Sequence, residues 1–260
     1  MPFEKISLLI AAGIASVTFR NAGKLNAWDG QMLDELKAAF DTIARDEAVR
    51  VAILTGEGRA FSVGADLNWF TPDVPTHQFR LQAREAHDFF DAVEDLEKPV
   101  IAAINGVCVG GGLELALSCD LRVTVEEARF GFPETNAGII PGSGGCSRLA
   151  RLVGVGMAKE LVLTGELISA ADAKQIGLVN AVVPAGQLME KTKDYAAKIM
   201  KRGPLAVGMA KQIINTSLNV DAASGRALER LGQSILLGTE DAQEGFKAFR
   251  EKRPPKFEGK

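Results

Sequence analysis

The stretch VIAAINGVCVGGGLELALSCDLRVTV, residues 100–125, decides the fold. Its first five residues are uniformly apolar and indicate a buried strand, which runs directly into a glycine-rich turn. The chain then predicts a short helix over residues 113–118 and another apolar strand over residues 121–125. Short apolar strands that alternate with turns and helices are typical of an α/β protein with largely parallel strands.

The sequence before this stretch has the same alternation of strands and helices. Residues 6–19 predict two strands around a small-residue turn. Residues 32–43 carry apolar side chains at helical spacing, and Asp29 just before them is suited to the N-cap position. Residues 51–54 predict a further strand, and the following TGEGRAFSVGAD, residues 55–66, is expected to be a loop.

The sequence after about residue 147 is predicted to be almost entirely helical. Helices are predicted there over residues 147–164, 170–175, 185–201, 204–218, 222–237 and 241–252. Before this region, residues 79–96 carry apolar side chains at helical spacing and predict a further helix. The last strand-like residues are 179–183. Apolar helix faces left over in such a region favour association between subunits.

Length and composition describe a globular chain without a basic surface. Of its 260 residues, 47% are hydrophobic and 24% charged, which is enough material for a sizeable core. The formal net charge of −3 argues against nucleic acid as a partner, because nucleic-acid-binding domains are usually basic. No signal peptide and no apolar run of membrane-spanning length is recognised, so a cytoplasmic protein without a membrane partner is expected. A processed organellar form would look the same.

The cysteines and histidines form no metal or redox motif. The three cysteines, Cys108, Cys119 and Cys146, follow no CxxC spacing and are expected to be reduced thiols. The two histidines, His77 and His87, lie in a charged stretch that predicts a helix. So few histidines argue against a zinc site, and no metal is expected.

Several common catalytic motifs are incomplete. The triple glycine at residues 110–112 lacks the final glycine of a dinucleotide fingerprint, and Gly23-Lys24 lacks the serine or threonine of a phosphate loop. Two residues before Ser143, where a serine-hydrolase elbow needs glycine, the chain has Pro141. These departures argue against hydride transfer, nucleotide hydrolysis and serine-hydrolase chemistry.

Three segments that follow short apolar runs remain as candidates for a site: residues 60–67, 105–114 and 130–145, all expected to be loops. In parallel α/β proteins, ligands bind at the carboxyl ends of strands. Glycines there let a ligand approach backbone N–H groups, and one N–H from each of the first two segments would form an oxyanion hole. The alternative is that the three consecutive glycines only allow a helix to pack tightly on a strand.

Glu114 and Glu134 are the acidic residues in these segments that are surrounded by apolar neighbours. Glu114 interrupts the apolar run at residues 113–117, and Glu134 follows Phe130-Gly-Phe-Pro. Burial raises the pKa of a carboxyl group, which suits a general acid or base. Two such groups at one site would separate their titrations further. Spacing alone leaves open whether the two side chains meet or whether Glu114 is a surface residue.

Motifs along nearly the whole chain resemble those of the crotonase family, also named the enoyl-CoA hydratase/isomerase superfamily. In chain order they are KLNA at 24–27, AFSVGADL at 60–67, NGVCVGGGLELA at 105–116, SCDLR at 118–122, FGFPE at 130–134, GIIPG through RL at 138–149, and KRPPKF at 252–257. Together they are specific for the family and much less so for a substrate.

The resemblance implies a fold and an assembly. It implies an α/β, crotonase-like spiral of β-β-α units with the acyl-CoA site over residues 1–200, followed by a helical C-terminal trimerisation region over residues 201–260. It also implies a homotrimer or homohexamer that acts on an acyl-CoA substrate. No separate cofactor is implied, because coenzyme A is part of the substrate.

The resemblance also implies roles for individual residues. The N–H groups of Ala65 and Gly111 would hold the thioester oxygen. The segments that flank the coenzyme A would contribute Lys24, Leu25, Ala27, Ser62, Val63, Gly64, Asp66 and Leu67. Family hydratases carry glutamate at both positions occupied by Glu114 and Glu134, which favours hydration of a 2-enoyl thioester, a lyase reaction of fatty acid metabolism. Glu134 would then deliver the α-proton, and Glu114 would orient and help to deprotonate the water.

Departures from the family pattern leave the acyl group open. Phe132 stands where glutamine is common, Cys146-Ser147 stands where Thr-Gln is frequent, and residues 20–23 lack a common proline. Trp69 and Phe70 either wall the acyl pocket or simply pack. The alternatives are a 3,2-enoyl-CoA isomerase, a hydratase of dienoyl or cyclic enoyl-CoA esters, and a non-catalytic acyl-CoA-binding or RNA-binding relative.

Overall fold

Two sheets organise the chain in the computed structural model, which describes residues 3–69 and 74–260. The strands are β1 Ile6–Ala11, β2 Ile14–Phe19, β3 Val51–Gly56, β4 Ala60–Ser62, β5 Val100–Ile104, β6 Val107–Val109, β7 Leu121–Val125, β8 Arg129–Gly131, β9 Ile168–Ser169 and β10 Ala181–Val183. The helices are α1 Gly30–Arg45, α2 Thr76–Asp95, α3 Gly111–Ser118, α4 Gly145–Val153, α5 Val155–Thr164, α6 Ala170–Gln175, α7 Leu188–Met200, α8 Pro204–Ser217, α9 Ala222–Leu237 and α10 Glu240–Glu251. Short 3-10 helices lie at Ala22–Lys24, Leu67–Trp69, Pro133–Ala137 and Ala185–Gln187.

The larger sheet has six strands in the order β1-β2-β3-β5-β7-β10. All neighbours are parallel except β1 and β2, which form the antiparallel hairpin that residues 6–19 predict. Its central strands β3 and β5 are buried over most of their length and pair Ile53 with Ile101. Helices cover this sheet, and α7 packs against β3, β5 and β7.

The smaller sheet has four strands in the order β4-β6-β8-β9, and β4, β6 and β8 are parallel. Its first three strands correct the sequence interpretation, because residues 60–67, 105–114 and 130–145 were all expected to be loops. Each of these strands has three residues. A run of three is too short to show the alternation of side chains that identifies a strand. The antiparallel strand β9 was missed for the same reason.

The two sheets are joined by a repeated β-β-α unit. In β3-β4-α2, β5-β6-α3 and β7-β8-α4, the first strand enters the larger sheet and the second enters the smaller one. This arrangement confirms the crotonase-like α/β spiral that the family resemblance implies. It also places the carboxyl ends of β4, β6 and β8 next to one another.

The first helix, α1, forms as its sequence predicts. Asp29 caps it, with a carboxylate oxygen that accepts a hydrogen bond from the Met32 N–H at 3.0 Å. The apolar residues at helical spacing form its buried face: Met32, Leu33, Leu36, Ala39, Phe40 and Ile43. Aromatic packing extends this core to α2, where the rings of Phe40 and Phe89 lie 5.4 Å apart, edge to face.

The C-terminal half is helical, as predicted, with one correction. The single helix expected over residues 147–164 is two helices, α4 and α5, because the chain breaks at Gly154, whose φ of 82° is not helical. Beyond α7, helix α8 is tied to the core by an ion pair of 2.9 Å between Lys211 and Asp120. It packs along α9. The division into regions 1–200 and 201–260 stays a prediction, although α7 ends at Met200.

Within residues 3–69 and 74–260, no helix is both long enough and apolar enough to cross a membrane.

Candidate active site

The smaller sheet positions the candidate site. The loop after β4 carries Gly64 and Ala65, the junction of β6 and α3 carries Gly110 and Gly111, and the 3-10 helix after β8 carries Glu134. Because these strands are parallel neighbours, the three segments meet at one edge of the sheet. Three short strands that the sequence did not predict, β4, β6 and β8, therefore bring the sequence motifs together.

The backbones of the first two segments are in close contact. Gly64 has a φ of 89°, and a Cβ atom at this position would lie 2.6 Å from the Gly111 nitrogen. A Cβ on Gly111 would lie 3.5 Å from the Ala65 nitrogen. Neither the Ala65 nor the Gly111 N–H donates a hydrogen bond to another residue of the described chain. Two adjacent donors on separate segments thus remain available for a ligand.

A network around Asn26 and Trp28 fixes the segment that carries Ala65. The Trp28 N–H donates to the Gly64 carbonyl at 2.9 Å, and the Asp66 N–H donates to the Trp28 carbonyl at 2.8 Å. The buried Ser62 hydroxyl donates to the Asn26 carbonyl at 2.8 Å and accepts from the Gly64 N–H at 3.1 Å. Sequence reasoning missed Asn26 and Trp28 as supports, because neither forms a recognisable motif by itself.

Asn26 itself adopts an unusual backbone conformation. Leu25 and Asn26 both have positive φ, 54° and 55°, a region that non-glycine residues rarely occupy. Hydrogen bonds stabilise this backbone conformation: the buried side-chain amide of Asn26 donates to the carbonyls of Ala60 at 2.7 Å and Glu57 at 2.9 Å. Backbone strain held by surrounding hydrogen bonds is typical of functional segments.

The two segments predicted to flank the coenzyme A lie side by side. Lys24 and Asp66 form an ion pair of 2.7 Å across them, with 62% of the Lys24 side chain exposed. Their hydrogen bond raises the pKa of Lys24 and lowers that of Asp66. Leu67 is 74% exposed, whereas Ser62 is fully buried and serves the internal network. Ala27 is buried, while Leu25 and Val63 are partly exposed. Contact of these segments with coenzyme A stays a prediction.

Glu114 lies in the first turn of α3 and is only 4% exposed. One carboxylate oxygen, Oε1, accepts hydrogen bonds from the Ser143 N–H at 2.6 Å and the Gly145 N–H at 2.8 Å. Burial raises the pKa of Glu114, while these two hydrogen bonds and the positive charge of Arg148 oppose the rise. The structure therefore excludes the alternative that Glu114 is a surface residue.

Glu134 lies in the 3-10 helix Pro133–Ala137, in a different environment. Its Oε2 atom is buried and has no hydrogen-bond partner among the described residues. Burial raises the pKa of Glu134 to about 7, and the charge of Glu114 adds to this rise. The two carboxylates thus share one site, which sequence spacing had left open. Their environments differ, which suits them to different roles.

Two departures from the family pattern lie at the same site. Burial and the charges of Glu114 and Glu134 raise the pKa of the Cys146 thiol, which is in the first turn of α4. Phe132 is fully buried, and a Cβ on Gly145 would lie 2.8 Å from its ring. Phe132 therefore packs behind the loop that holds Glu114. Phe70 and the side chain of Trp69 lie outside the described part of the chain.

The described residues contain no cluster of three or more histidine, cysteine, aspartate or glutamate side chains that could hold a metal ion. Two free N–H donors lie near two carboxylates, one buried and one partly buried, and this combination defines a class of site. Such a site stabilises the oxyanion of a carbonyl compound while a carboxyl group moves a proton beside it.

Comparison with known proteins agrees with this class. The sequence profile described as "Enoyl-CoA hydratase/isomerase" matches residues 10–260. The chain is 42% identical, over 100% of its length and 98% of the relative's, to a short-chain-enoyl-CoA hydratase of Clostridium acetobutylicum. It is 38% identical, over 99% of both chains, to a crotonyl-CoA hydratase of Syntrophomonas wolfei.

Solved structures give the same result. An enoyl-CoA hydratase crystal structure from Bacillus anthracis superposes with a TM-score of 0.94 at 41% identity, covering 99% of this chain and 100% of that one. The chain therefore belongs to the enoyl-CoA hydratase/isomerase family, the crotonase superfamily.

Proposed function

We propose that the protein is an enoyl-CoA hydratase, a hydro-lyase that adds water across the 2,3 double bond of a 2-enoyl-CoA thioester. The observation that carries the proposal is that buried Glu114 and partly buried Glu134 meet the free N–H groups of Ala65 and Gly111 at one sheet edge. The relatives named as short-chain-enoyl-CoA and crotonyl-CoA hydratases support the same reaction and favour a short acyl chain.

The N–H groups of Ala65 and Gly111 would bind the thioester carbonyl oxygen. As water adds to the β-carbon, negative charge develops on that oxygen, and each well-placed donor contributes roughly 3 kcal/mol to its stabilisation. Gly111 is also the first residue of α3, so the positive end of the helix dipole favours the same charge.

The two carboxylates would divide the proton transfers. Two backbone N–H groups and the charge of Arg148 favour the ionised form of Glu114. Ionised Glu114 accepts a proton from the water molecule as the water oxygen bonds to the β-carbon. The elevated pKa of Glu134, about 7, lets it hold a proton near neutral pH and deliver it to the α-carbon. The electron pair of the double bond forms the new α-carbon–hydrogen bond, and the product is a 3-hydroxyacyl thioester.

The remaining sequence-based expectations belong to this proposal. Coenzyme A enters as part of the substrate, beside the segment of Lys24, Leu25 and Ala27 and the segment from Ser62 to Leu67, and no separate cofactor takes part. The cytoplasmic location and the place in fatty acid metabolism stay predictions.

A homotrimer or homohexamer is supported by apolar side chains that stand exposed on α8, α9 and α10. They include Ile214, Leu231, Ile235, Phe246 and Phe249, of which Phe249 is 85% exposed. Single exposed apolar residues are common, but several large ones on neighbouring helices mark an interface. Sedimentation equilibrium at micromolar concentration is expected to give three or six times the mass of 27.7 kDa, and a clean monomer would contradict the assembly.

The function is tested with purified protein and crotonyl-CoA, by the loss of absorbance of the conjugated thioester. Wild type is expected to hydrate crotonyl-CoA, Glu134→Gln to lose nearly all activity, and Glu114→Gln to lose most of it. A 3-enoyl-CoA ester that gains conjugated absorbance, without hydration of crotonyl-CoA, would indicate the isomerase instead. Binding of acyl-CoA without turnover would indicate the non-catalytic relative, and full hydration by both variants would overturn the roles of the glutamates.

A further inference from the structure

One side chain of α4, Arg148, forms a hydrogen bond with the loop that holds Glu114. The Nη1 atom of Arg148 donates to the Ser143 carbonyl at 3.1 Å, and the Ser143 N–H donates to Glu114 at 2.6 Å. The backbone N–H of Arg148 donates to the Gly144 carbonyl at 2.8 Å. Arg148 therefore contacts the loop immediately beside the peptide groups that bind the Glu114 carboxylate.

Two carboxylates on α2 hold the other edge of the guanidinium. Nη2 of Arg148 lies 2.5 Å from Asp91 Oδ1 and 2.6 Å from Glu94 Oε2, and Nε donates to Glu94 at 2.7 Å. Only 13% of the Arg148 side chain is exposed. A planar guanidinium with donors on several edges can serve two carboxylates and a carbonyl at once, which a lysine ammonium does less well.

A cavity of about 370 Å³ separates α2 from α4, lined by the three ionic partners together with His87, Ser147 and Arg151. Residues 142–144 border this cavity. The hydrogen bonds of Arg148 cross this cavity and join the loop to α2.

We propose that Arg148 is a positioning residue for hydration: locked by Asp91 and Glu94, it fixes through Ser143 the loop that orients Glu114, and its charge favours the Glu114 carboxylate. This inference rests on the proposed function, because it assigns a role within that reaction. Arg148 contacts the loop and α2, and its hydrogen bonds do not involve the N–H groups of Ala65 and Gly111.

Several titratable side chains lie near Glu114, and the test must distinguish the effect of Arg148 from theirs. Arg148 and Cys146 face it from α4, and Glu134 faces it from the 3-10 helix after β8. Asp91, Glu94 and His87 on α2 and Arg151 on α4 line the Arg148 cavity, one step farther away. Within α3, Glu114 is the only titratable side chain.

The experiment measures kcat and KM for crotonyl-CoA against pH in Arg148→Gln, Arg148→Lys and Arg151→Gln. In Arg148→Gln, kcat is expected to fall about 10- to 100-fold with KM nearly unchanged, because a displaced catalytic group slows the chemical step. The acid limb of the profile, where Glu114 gains its proton, moves to higher pH because the nearby positive charge is gone. Arg148→Lys keeps that limb near its wild-type position but recovers only part of kcat.

Arg151→Gln is the matched control, since Arg151 lines the same cavity on the same helix and forms no ion pair in the described chain. It is expected to leave kcat, KM and the acid limb unchanged. Glu94→Gln, which leaves Arg148 itself in place, is a second variant in case the Arg148 variants misfold. It is expected to lower kcat and to move the acid limb the opposite way, to lower pH, because it removes a negative charge.

A carboxyl titration by ¹³C NMR, with the Glu114 signal identified by its absence from Glu114→Gln, reports the same shifts without any need for turnover. Absence of hydration by wild type would therefore defeat the proposed function and still leave the role of Arg148 tested. A Glu114 titration that stays at its wild-type pH in both Arg148→Gln and Glu94→Gln would overturn the inference. So would a loss confined to KM.

Discussion

The carboxylate of Glu134 lies directly against residue 110: its Oε1 atom is 3.0 Å from the position that a Cβ on Gly110 would occupy. Gly110 ends the turn after β6, and the Glu134 segment follows β8, the neighbouring parallel strand. Because glycine has no side chain, residue 110 leaves room for the carboxylate of Glu134, one of the proposed proton carriers.

Gly110→Ala is expected to reduce kcat for hydration by about 100-fold, because its methyl group displaces the Glu134 carboxylate. Gly110 also has a φ of 55°, so alanine there is strained. Gly177→Ala is the control, since Gly177 has a φ of 79° with no atom within 4 Å of the added Cβ. Equal losses of kcat in the two variants would show that backbone strain, and not the collision, is responsible.

Glu134→Gln is expected to be more stable than wild type at pH 8 and equally stable at pH 4. The folded state raises the pKa of Glu134 from 4.5 to about 7, because burial disfavours the charge. The stability associated with its neutral form is therefore complete below pH 4.5 and is lost as pH rises through about 7. Thermal unfolding of both proteins between pH 4 and pH 8 checks this, and a constant difference in Tm across the range would contradict it.

Glu114→Gln and Glu114→Ala are expected to separate the chemical role of Glu114 from its structural one. Glutamine keeps a carbonyl oxygen that can accept from the N–H groups of Ser143 and Gly145, so the fold is retained while kcat falls roughly 100- to 10,000-fold. Alanine leaves both buried donors without an acceptor, which costs about 1–3 kcal/mol for each. Chemical denaturation and kinetics together measure the two effects, and equal stability of the two variants would refute the structural part.

Lys211→Met is expected to destabilise the fold by about 3 kcal/mol, because it leaves the partly buried Asp120 carboxylate without its cation. The same substitution loosens α8, since Lys211 also donates to the Val93 carbonyl. Lys198→Met, which removes an exposed ion pair to Asp194 on α7, should leave stability nearly unchanged. Urea unfolding of the two variants makes the comparison. Similar losses in both would indicate that the Lys211 contact is no stronger than a surface pair.

The sequence predicted the elements whose signals are local. Asp29 and the apolar spacing after it identified α1, and residues 222–237 matched α9 because its pattern extends over several turns. Motifs likewise drew attention to Glu114 and Glu134. In each case the information lies within a few consecutive turns of the chain.

Features that depend on distant parts of the chain could not be read in this way. Ala60–Ser62, Val107–Val109 and Arg129–Gly131 become strands only because they pair with one another across long stretches of sequence. The contact of Glu114 with Ser143 likewise joins residues 29 positions apart. No local pattern encodes such a pairing, so both the second sheet and the support of Glu114 required the structure.

The repeated unit has a further consequence for how this catalyst can change. The first unit carries the Ala65 donor between β4 and α2, the second carries Gly111 and Glu114 in α3, and the third carries Glu134 between β8 and α4. A substitution after β8 can replace Glu134, the proposed proton carrier, while both N–H donors keep their geometry, because they belong to separate units. The architecture therefore allows one unit to change at a time during evolution, while the two N–H groups that would bind the carbonyl oxygen are retained.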